Sequence, residues 1–436
     1  MRREFSIIKT YIDNAIAGGI LWIFGSSVFS QLCAFVSSVV VIRHLPKAFY
    51  GYYVDANNIY SYTAAFVGMG MASAIIQFCS EKRSIEEINA IYSYSLFKGL
   101  KFNFALCAII LSLAYFKHIN SQTAAAYLAY MCFLPMFSYT NQFTQVALRV
   151  KRLNKEFGWV NMGYSISVVI GNILLTYMWG VVGLIVSGYL SNLIATLIGY
   201  KLLNSYGFTH DLQSSIINID KTTCLSIDKY ALLCAVTNLS SSVLVLLDIT
   251  CISAIVGNSE VLADYKVGSA IPNACMFIPA CLITFYYPVL VERYTTNKTA
   301  FRSFLKKVTC VFGGSSIIVS LVLFLFATPI IKIVYGEQYL SSVAIMRLLS
   351  VNYCISAGLR KLFGNVIAVF KKVSVNLYLS IVAGAINIVL DVWLIKQMGP
   401  KGAAIATLMV TIIITMMESA YIAYYLKNDT SKQNHL

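Results

Sequence analysis

The sequence predicts an all-α integral membrane protein with twelve transmembrane helices in two pseudo-symmetric six-helix bundles. Three observations carry that prediction: a composition too apolar for a soluble fold, apolar runs of helical length, and an internal repeat close to the half-length of the chain. Of 436 residues, 58% are hydrophobic and 12% are charged, against about a quarter charged in a soluble domain. A soluble fold of this size has too much surface for its core to hide so much apolar material. A soluble enzyme, a disordered chain and a small disulfide scaffold are thereby excluded. The apolar runs of about 20–28 residues suit helices that cross about 30 Å of hydrocarbon at 1.5 Å per residue, whereas barrel strands show about ten alternating residues.

The first apolar run, Gly18 to Ile42, follows Arg2, Arg3 and Lys9. It is too long for a signal peptide and has no small-residue cleavage site before Arg43, so it reads as a retained first span. Further spans are expected at 52–79, 92–116, 122–148, 158–179, 181–203, 229–255, 265–291, 308–334, 340–370, 373–395 and 402–426. Gly180 and Gly183 mark a tight turn between the fifth and sixth spans, and Gly399-Pro400-Lys401-Gly402 one between the eleventh and twelfth. The 11 Cys contain no CxxC pair and no His/Cys spacing suited to zinc. Ten fall in apolar segments and Cys224 in a loop, so they read as buried thiols with no metal role.

Twelve spans put both termini on one side of the membrane. With the N-terminus in the cytoplasm, the inner loops, tails and helix ends hold 23 of the 33 Lys and Arg. The outer side then holds seven: Arg43, Lys47, Lys117, Lys266, Lys332, Lys396 and Lys401. The positive-inside bias therefore predicts cytoplasmic termini. It also explains most of the net charge of +15 as topology and contact with anionic lipid, with no nucleic acid needed.

The repeat is read residue by residue. Val160-Asn161, Ser165-Ile166, Asn172-Ile173 and Leu175 in the fifth span match Val375-Asn376, Ser380-Ile381, Asn387-Ile388 and Leu390 in the eleventh at one offset of 215 residues. The Gly-x-x-Gly turns that follow lie 219 apart, and Tyr52 and Val54 match Tyr265 and Val267 at an offset of 213. Six spans is an even number, so the lobes, 1–215 and 216–436, share one orientation and are related by an axis along the membrane normal. The hinge is expected in the polar stretch from Asn204 to Asp228. Two such bundles suit transport by rocking of one half against the other.

Four segments carry a family resemblance. Arg43-His44-Leu45-Pro46-Lys47-Ala48-Phe49-Tyr50-Gly51-Tyr52-Tyr53 looks like an R-x-L-G-P-x-x-F-G-x-Y motif after the first span, departing from it at Pro46, Lys47 and Tyr50. Asp248, Val256-Gly257 and Asp264-Tyr265 form the second, and Val334-Tyr335-Gly336-Glu337-Gln338-Tyr339-Leu340 the third. The fourth runs from Gly399 through Gly402-Ala403-Ala404-Ile405-Ala406-Thr407. In this order they resemble the polysaccharide flippases of the MATE-like MOP superfamily, the O-antigen (Wzx-type) exporters. Lipid II flippases of that superfamily usually carry two further helices, which this chain lacks. The resemblance implies a multi-pass protein of the bacterial inner membrane in O-antigen or lipopolysaccharide biosynthesis. It would move an undecaprenyl-pyrophosphate-linked oligosaccharide to the periplasmic leaflet by alternating access, with polysaccharide polymerase and chain-length proteins as partners.

Charges at bilayer depth cost at least about 2.5–3.5 kcal/mol each, so every one calls for a reason. The tenth span carries Arg347, Arg360 and Lys361. On an uninterrupted α-helix Lys361 lies about 40° from Arg347, Asn365 aligns with Arg347, and Arg360 points about 140° away. One reading is a cationic substrate-binding patch of Lys361, Arg360, Arg347 and Asn365 for a pyrophosphate or an acidic sugar. The other is pairing with buried acids on neighbouring helices. Those acids are Asp55, Asp248, Asp391 and Glu418. Asp248 shares a face with Thr237 and Ser241, Asp391 continues the stripe Asn376, Ser380, Asn387, and Glu418 continues Thr407 and Thr411. Asp248, Asp391 and Glu418 are candidates for coupling to a proton or Na⁺ gradient; the alternative is a salt bridge or a neutral carboxyl bonded between helices. Polar stripes with Gln31 on the first span and with Gln142 and Gln145 on the fourth either line a wet path for sugar hydroxyls or hold helices together.

No phosphate loop, HExxH or GxSxG motif is present, so a transporter with no cofactor is expected rather than an enzyme. A MATE-type ion-coupled multidrug exporter is the alternative, although it would prefer an acidic cleft. A membrane-embedded glycan polymerase or ligase is disfavoured by the short outer loops.

Overall fold

The computed structural model describes residues 20–81, 83–118, 121–207 and 220–433, and among them every regular element is helical. The chain forms two compact units, Met1–Leu239 and Ser240–Leu436. The division falls inside a helix; about half of the polar stretch expected as a hinge, residues 208–219, lies outside the described residues.

Unit 1 contains α1 (Ile20–His44), α2 (Lys47–Ala64), α3 (Met71–Cys79), α4 (Ile85–His118), α5 (Gln122–Tyr130), α6 (Leu134–Val150), α7 (Asn154–Asn204) and the start of α8 (Lys221–Val256). Unit 2 takes the rest of α8 with α9 (Ser259–Cys275), α10 (Phe277–Thr296), α11 (Lys298–Leu325), α12 (Ala327–Val334), α13 (Val343–Ile355), α14 (Lys361–Val369), α15 (Val373–Met398) and α16 (Pro400–Gln433). Among the described residues, nine stretches are long and apolar enough to cross a membrane. One of them, α7, bends at Gly180 into two passes. With α5–α6 and α8 the twelve-span fold is complete.

Several spans are broken where periodicity predicts continuity. The second is interrupted between α2 and α3 by Gly68, Met69 and Gly70, all at positive φ. An open backbone in lipid must find partners inside the protein. Here the Gly68 N–H donates to Asn103 Oδ1 at 2.7 Å, and Asn103 Nδ2 donates to the Pro135 carbonyl at 3.0 Å. Tyr139, fully buried, lies over Gly68 and Gly99, where a Cβ would meet its ring at 2.2 Å. The tenth span is α13 and α14 joined by a π-helical turn, Ser356–Arg360. Its wider turn breaks the 100° register on which the Arg347–Asn365 alignment depends. Cys224 lies in α8, not in a loop, and Cys310 is exposed. The remaining thiols are buried or half-buried.

The Gly-x-x-Gly corners have one geometry. Gly180 sits at φ 59°, ψ −134° and Gly399 at φ 61°, ψ −142°, a region that only glycine enters freely. At the second glycine of each corner a Cβ would press on a carbonyl eight residues earlier, across the bend, that of Leu175 for Gly183 and of Leu394 for Gly402.

Candidate functional site

Unit 2 holds a cavity of about 250 Å³ whose wall combines carboxyl, hydroxyl, carboxamide and cationic groups. α8 supplies Asp248; α9 supplies Tyr265, Lys266 and Asn273; the end of α13 supplies Asn352; the π turn supplies Arg360; α15 supplies Asn387; and α16 supplies Thr407 and Thr411. The spacing explains the convergence. Tyr265, Ser269 and Asn273 recur every fourth residue on α9, as do Thr407 and Thr411 on α16, so each helix presents one polar stripe.

Asp248 is 6% exposed. One of its oxygens accepts from the Tyr265 hydroxyl and from Thr407 Oγ1, the latter at 2.7 Å. Asp391 follows Asn387 by one turn, is fully buried, and stands beside Asp248 and Cys251. Among the described residues, four buried carboxyl oxygens have no hydrogen-bond partner: Asp248 Oδ1, both of Asp391, and Glu418 Oε2. Ionised carboxylates only accept hydrogen bonds, and two side by side repel. A proton or a cation between Asp248 and Asp391 removes that repulsion. Oxygen-only donors of this kind suit a hard cation. Glu418 lies two turns beyond Thr411 on α16, buried, and within electrostatic reach of Arg360. Among the described residues no group of three His, Cys, Asp or Glu assembles to hold a metal.

The sequence-selected residues do not form one patch. Arg360 lines the cavity. Lys361 is exposed and outside its lining, and Asn365 Nδ2 donates to the Lys361 carbonyl at 2.7 Å. Arg347 is exposed, donates to Thr328 Oγ1 at 3.4 Å and lies 5.8 Å from the Phe324 ring centroid. The π turn separates these three directions. In unit 1, Gln31 and Gln142 are exposed on α1 and α6. Gln145 Nε2 donates to Asn141 Oδ1 at 3.0 Å, and Asn141 Nδ2 donates to Asn192 Oδ1 at 3.1 Å, so Gln145 belongs to a ladder between α6 and α7. Asp55 pairs with Lys117 at 2.7 Å.

Lys266 is the cation that charge counting missed. An eighth span starting at residue 265 leaves Lys266 at the outer end. α9 instead begins at Ser259, two turns earlier, capped by Asn258, whose Oδ1 accepts from the Glu260 N–H at 2.9 Å. The Asn-Ser-Glu sequence was a readable helix start.

The family description "Polysaccharide biosynthesis protein" matches residues 16–293. No curated protein matches the sequence. Among solved structures, the chain is similar to an inward-facing multidrug resistance MATE family transporter of the MOP superfamily, with TM-score 0.79, 14% identity, and 92% of this chain and 95% of that one covered. It is also similar to the lipid II flippase MurJ in an inward closed conformation, at TM-score 0.72 and 16% identity over 93% and 87% of the two chains. A third likeness is to a MOP superfamily transporter from Pyrococcus furiosus described as having a binding pocket of reverse polarity, at TM-score 0.65 and 15% identity, covering 95% of both chains. These structures share the fold. The chain belongs to the polysaccharide biosynthesis protein family, a flippase family of the MOP superfamily, and is a multi-pass membrane protein.

Proposed function

We propose that this protein flips an undecaprenyl-pyrophosphate-linked oligosaccharide, an O-antigen or similar repeat unit of lipopolysaccharide biosynthesis, across the bacterial inner membrane by alternating access. Transport is coupled to a proton or Na⁺ at Asp248 and Asp391. The observation that carries the reading is one cavity lined by Arg360, Lys266 and Asp248, a carboxyl with an unpaired oxygen. The cations suit pyrophosphate or an acidic sugar, and Asn273, Asn352 and Asn387 suit sugar hydroxyls. A buried carboxylate with no direct ion-pair partner costs several kcal/mol, which a bound proton or cation relieves; a change in that occupancy can then bias the fold between states. Both termini lie in the cytoplasm in this reading, which predicts cysteine labelling at position 151 from inside and at 396 from outside. Polymerase and chain-length proteins are the downstream partners. A multidrug exporter of organic cations fits less well, because Arg360 and Lys266 would repel its cargo.

The test is transfer of a fluorescent lipid-linked oligosaccharide in proteoliposomes. Arg360→Glu is expected to abolish transfer while the protein still inserts; undiminished transfer overturns the substrate reading. Equal wild-type rates with and without an imposed proton or Na⁺ gradient defeat the coupling.

A further inference from the structure

A second cavity in unit 2, about 840 Å³, shares no lining residue with the first. Arg302 and Lys306, one turn apart near the start of α11, and Lys427 on α16 stand together at one end of it. The Arg302 guanidinium donates to the Leu426 carbonyl, which holds this cation against the turn of α16 that carries Lys427. Away from the cations the wall is mainly apolar. Phe363 forms part of it, and Cys310 is exposed about 12 Å further along α11 at 1.5 Å per residue.

A cationic mouth that continues into an apolar trough complements an amphiphile with an anionic head and a hydrocarbon tail. A soluble phosphate compound would leave the trough unused, and a neutral lipid would leave the charges unused. Lysine and arginine near the membrane surface attract anionic headgroups, and a guanidinium fork matches phosphate oxygens. We propose that this groove binds an anionic phospholipid of the surrounding leaflet. Its phosphate lies among Arg302, Lys306 and Lys427, and one acyl chain runs past Phe363 and Cys310. The site is independent of the transport reading, since it uses none of those residues.

The test uses the full-length protein in bilayer discs containing phosphatidylglycerol, phosphatidylcholine or mixtures, with bound lipid counted by native mass spectrometry. Wild type is expected to retain phosphatidylglycerol in preference to phosphatidylcholine. Lys306→Gln and Lys427→Gln should each lower that preference about fivefold, whereas Lys101→Gln with Lys201→Gln, exposed lysines of unit 1, should leave it unchanged. Equal retention of the two lipids by wild type, or the same loss from the unit 1 variant, overturns the proposal, because the lysines then serve only topology or general surface charge. Maleimide labelling of Cys310, read by peptide mass spectrometry, needs no variant. It should be slower in phosphatidylglycerol than in phosphatidylcholine, and equal rates also overturn the site.

Discussion

At the corner between its fifth and sixth spans unit 1 turns on Gly180 and Gly183, and unit 2 turns the same way on Gly399 and Gly402. What each unit buries around that shared corner is different. At the repeat offsets of 215 and 219, Thr176 of unit 1 corresponds to Asp391 of unit 2, Gly188 to Thr407, and Gly199 to Glu418. Several polar groups of unit 1 pair with one another, Ser30 with Ser165 at 2.6 Å, Asn172 with Ser37 at 2.7 Å, and Asn141 with Asn192 at 3.1 Å, while the groups it leaves open at Ser95, Thr176, Ser187 and Ser191 are neutral hydroxyls. Its acids Asp55 and Asp228 meet Lys117 and Lys98, each at 2.7 Å. Unit 2 instead leaves four carboxyl oxygens open at depth. A closed polar pair holds helices together; an open one in the membrane marks a place where a ligand or proton can act. The contrast between the units is therefore one of buried charge: the acids of unit 1 meet lysines, and those of unit 2 keep open oxygens.

That contrast can be broken or sharpened by experiment. The largest effect is expected at Asp248: Asp248→Asn should remove the gradient-driven component of transport about tenfold or more, while Asn172→Ala should leave gradient dependence intact. Next comes Lys117→Met, which strands the buried Asp55 carboxylate and should destabilise unit 1 by about 3–5 kcal/mol; a thermal-unfolding change within error would mean the pair is dispensable. Gly183→Ala and Gly402→Ala force a methyl onto a carbonyl and should each cost about 1–3 kcal/mol, by similar amounts if the corners are equivalent. Lys98→Met, at a pair whose lysine is 40% exposed, should cost at most about 1 kcal/mol. The smallest change is expected for Ser30→Ala, about 0.6 kcal/mol, measurable only by a sensitive unfolding assay.

Much of the scaffold was legible because its signals are local. Apolar length reported the spans, and glycines that must take positive φ reported the corners at 180 and 399. The acids Asp248 and Asp391 stood out because charge at depth is costly. Asn387 and Thr407 lay on stripes the sequence shows, yet nothing in one helix says that their partner is Asp248, 159 residues before Thr407. Lys266 was read only as a charge at a helix end because the helix start was placed six residues late; α9 begins at Ser259 and Lys266 lines the cavity. Arg347 and Asn365 were aligned with Lys361 by a wheel that a π turn invalidates.

The sequence by itself determined the class of solvent this chain lives in, the number of its spans and the equivalence of its two corners, since each depends on residue type and spacing along one segment. Tertiary structure decided which polar groups close on one another and which remain open. Hydrogen-bond satisfaction is a property of neighbouring helices, and a shift of one turn or one extra residue in a helix changes which neighbour a side chain meets.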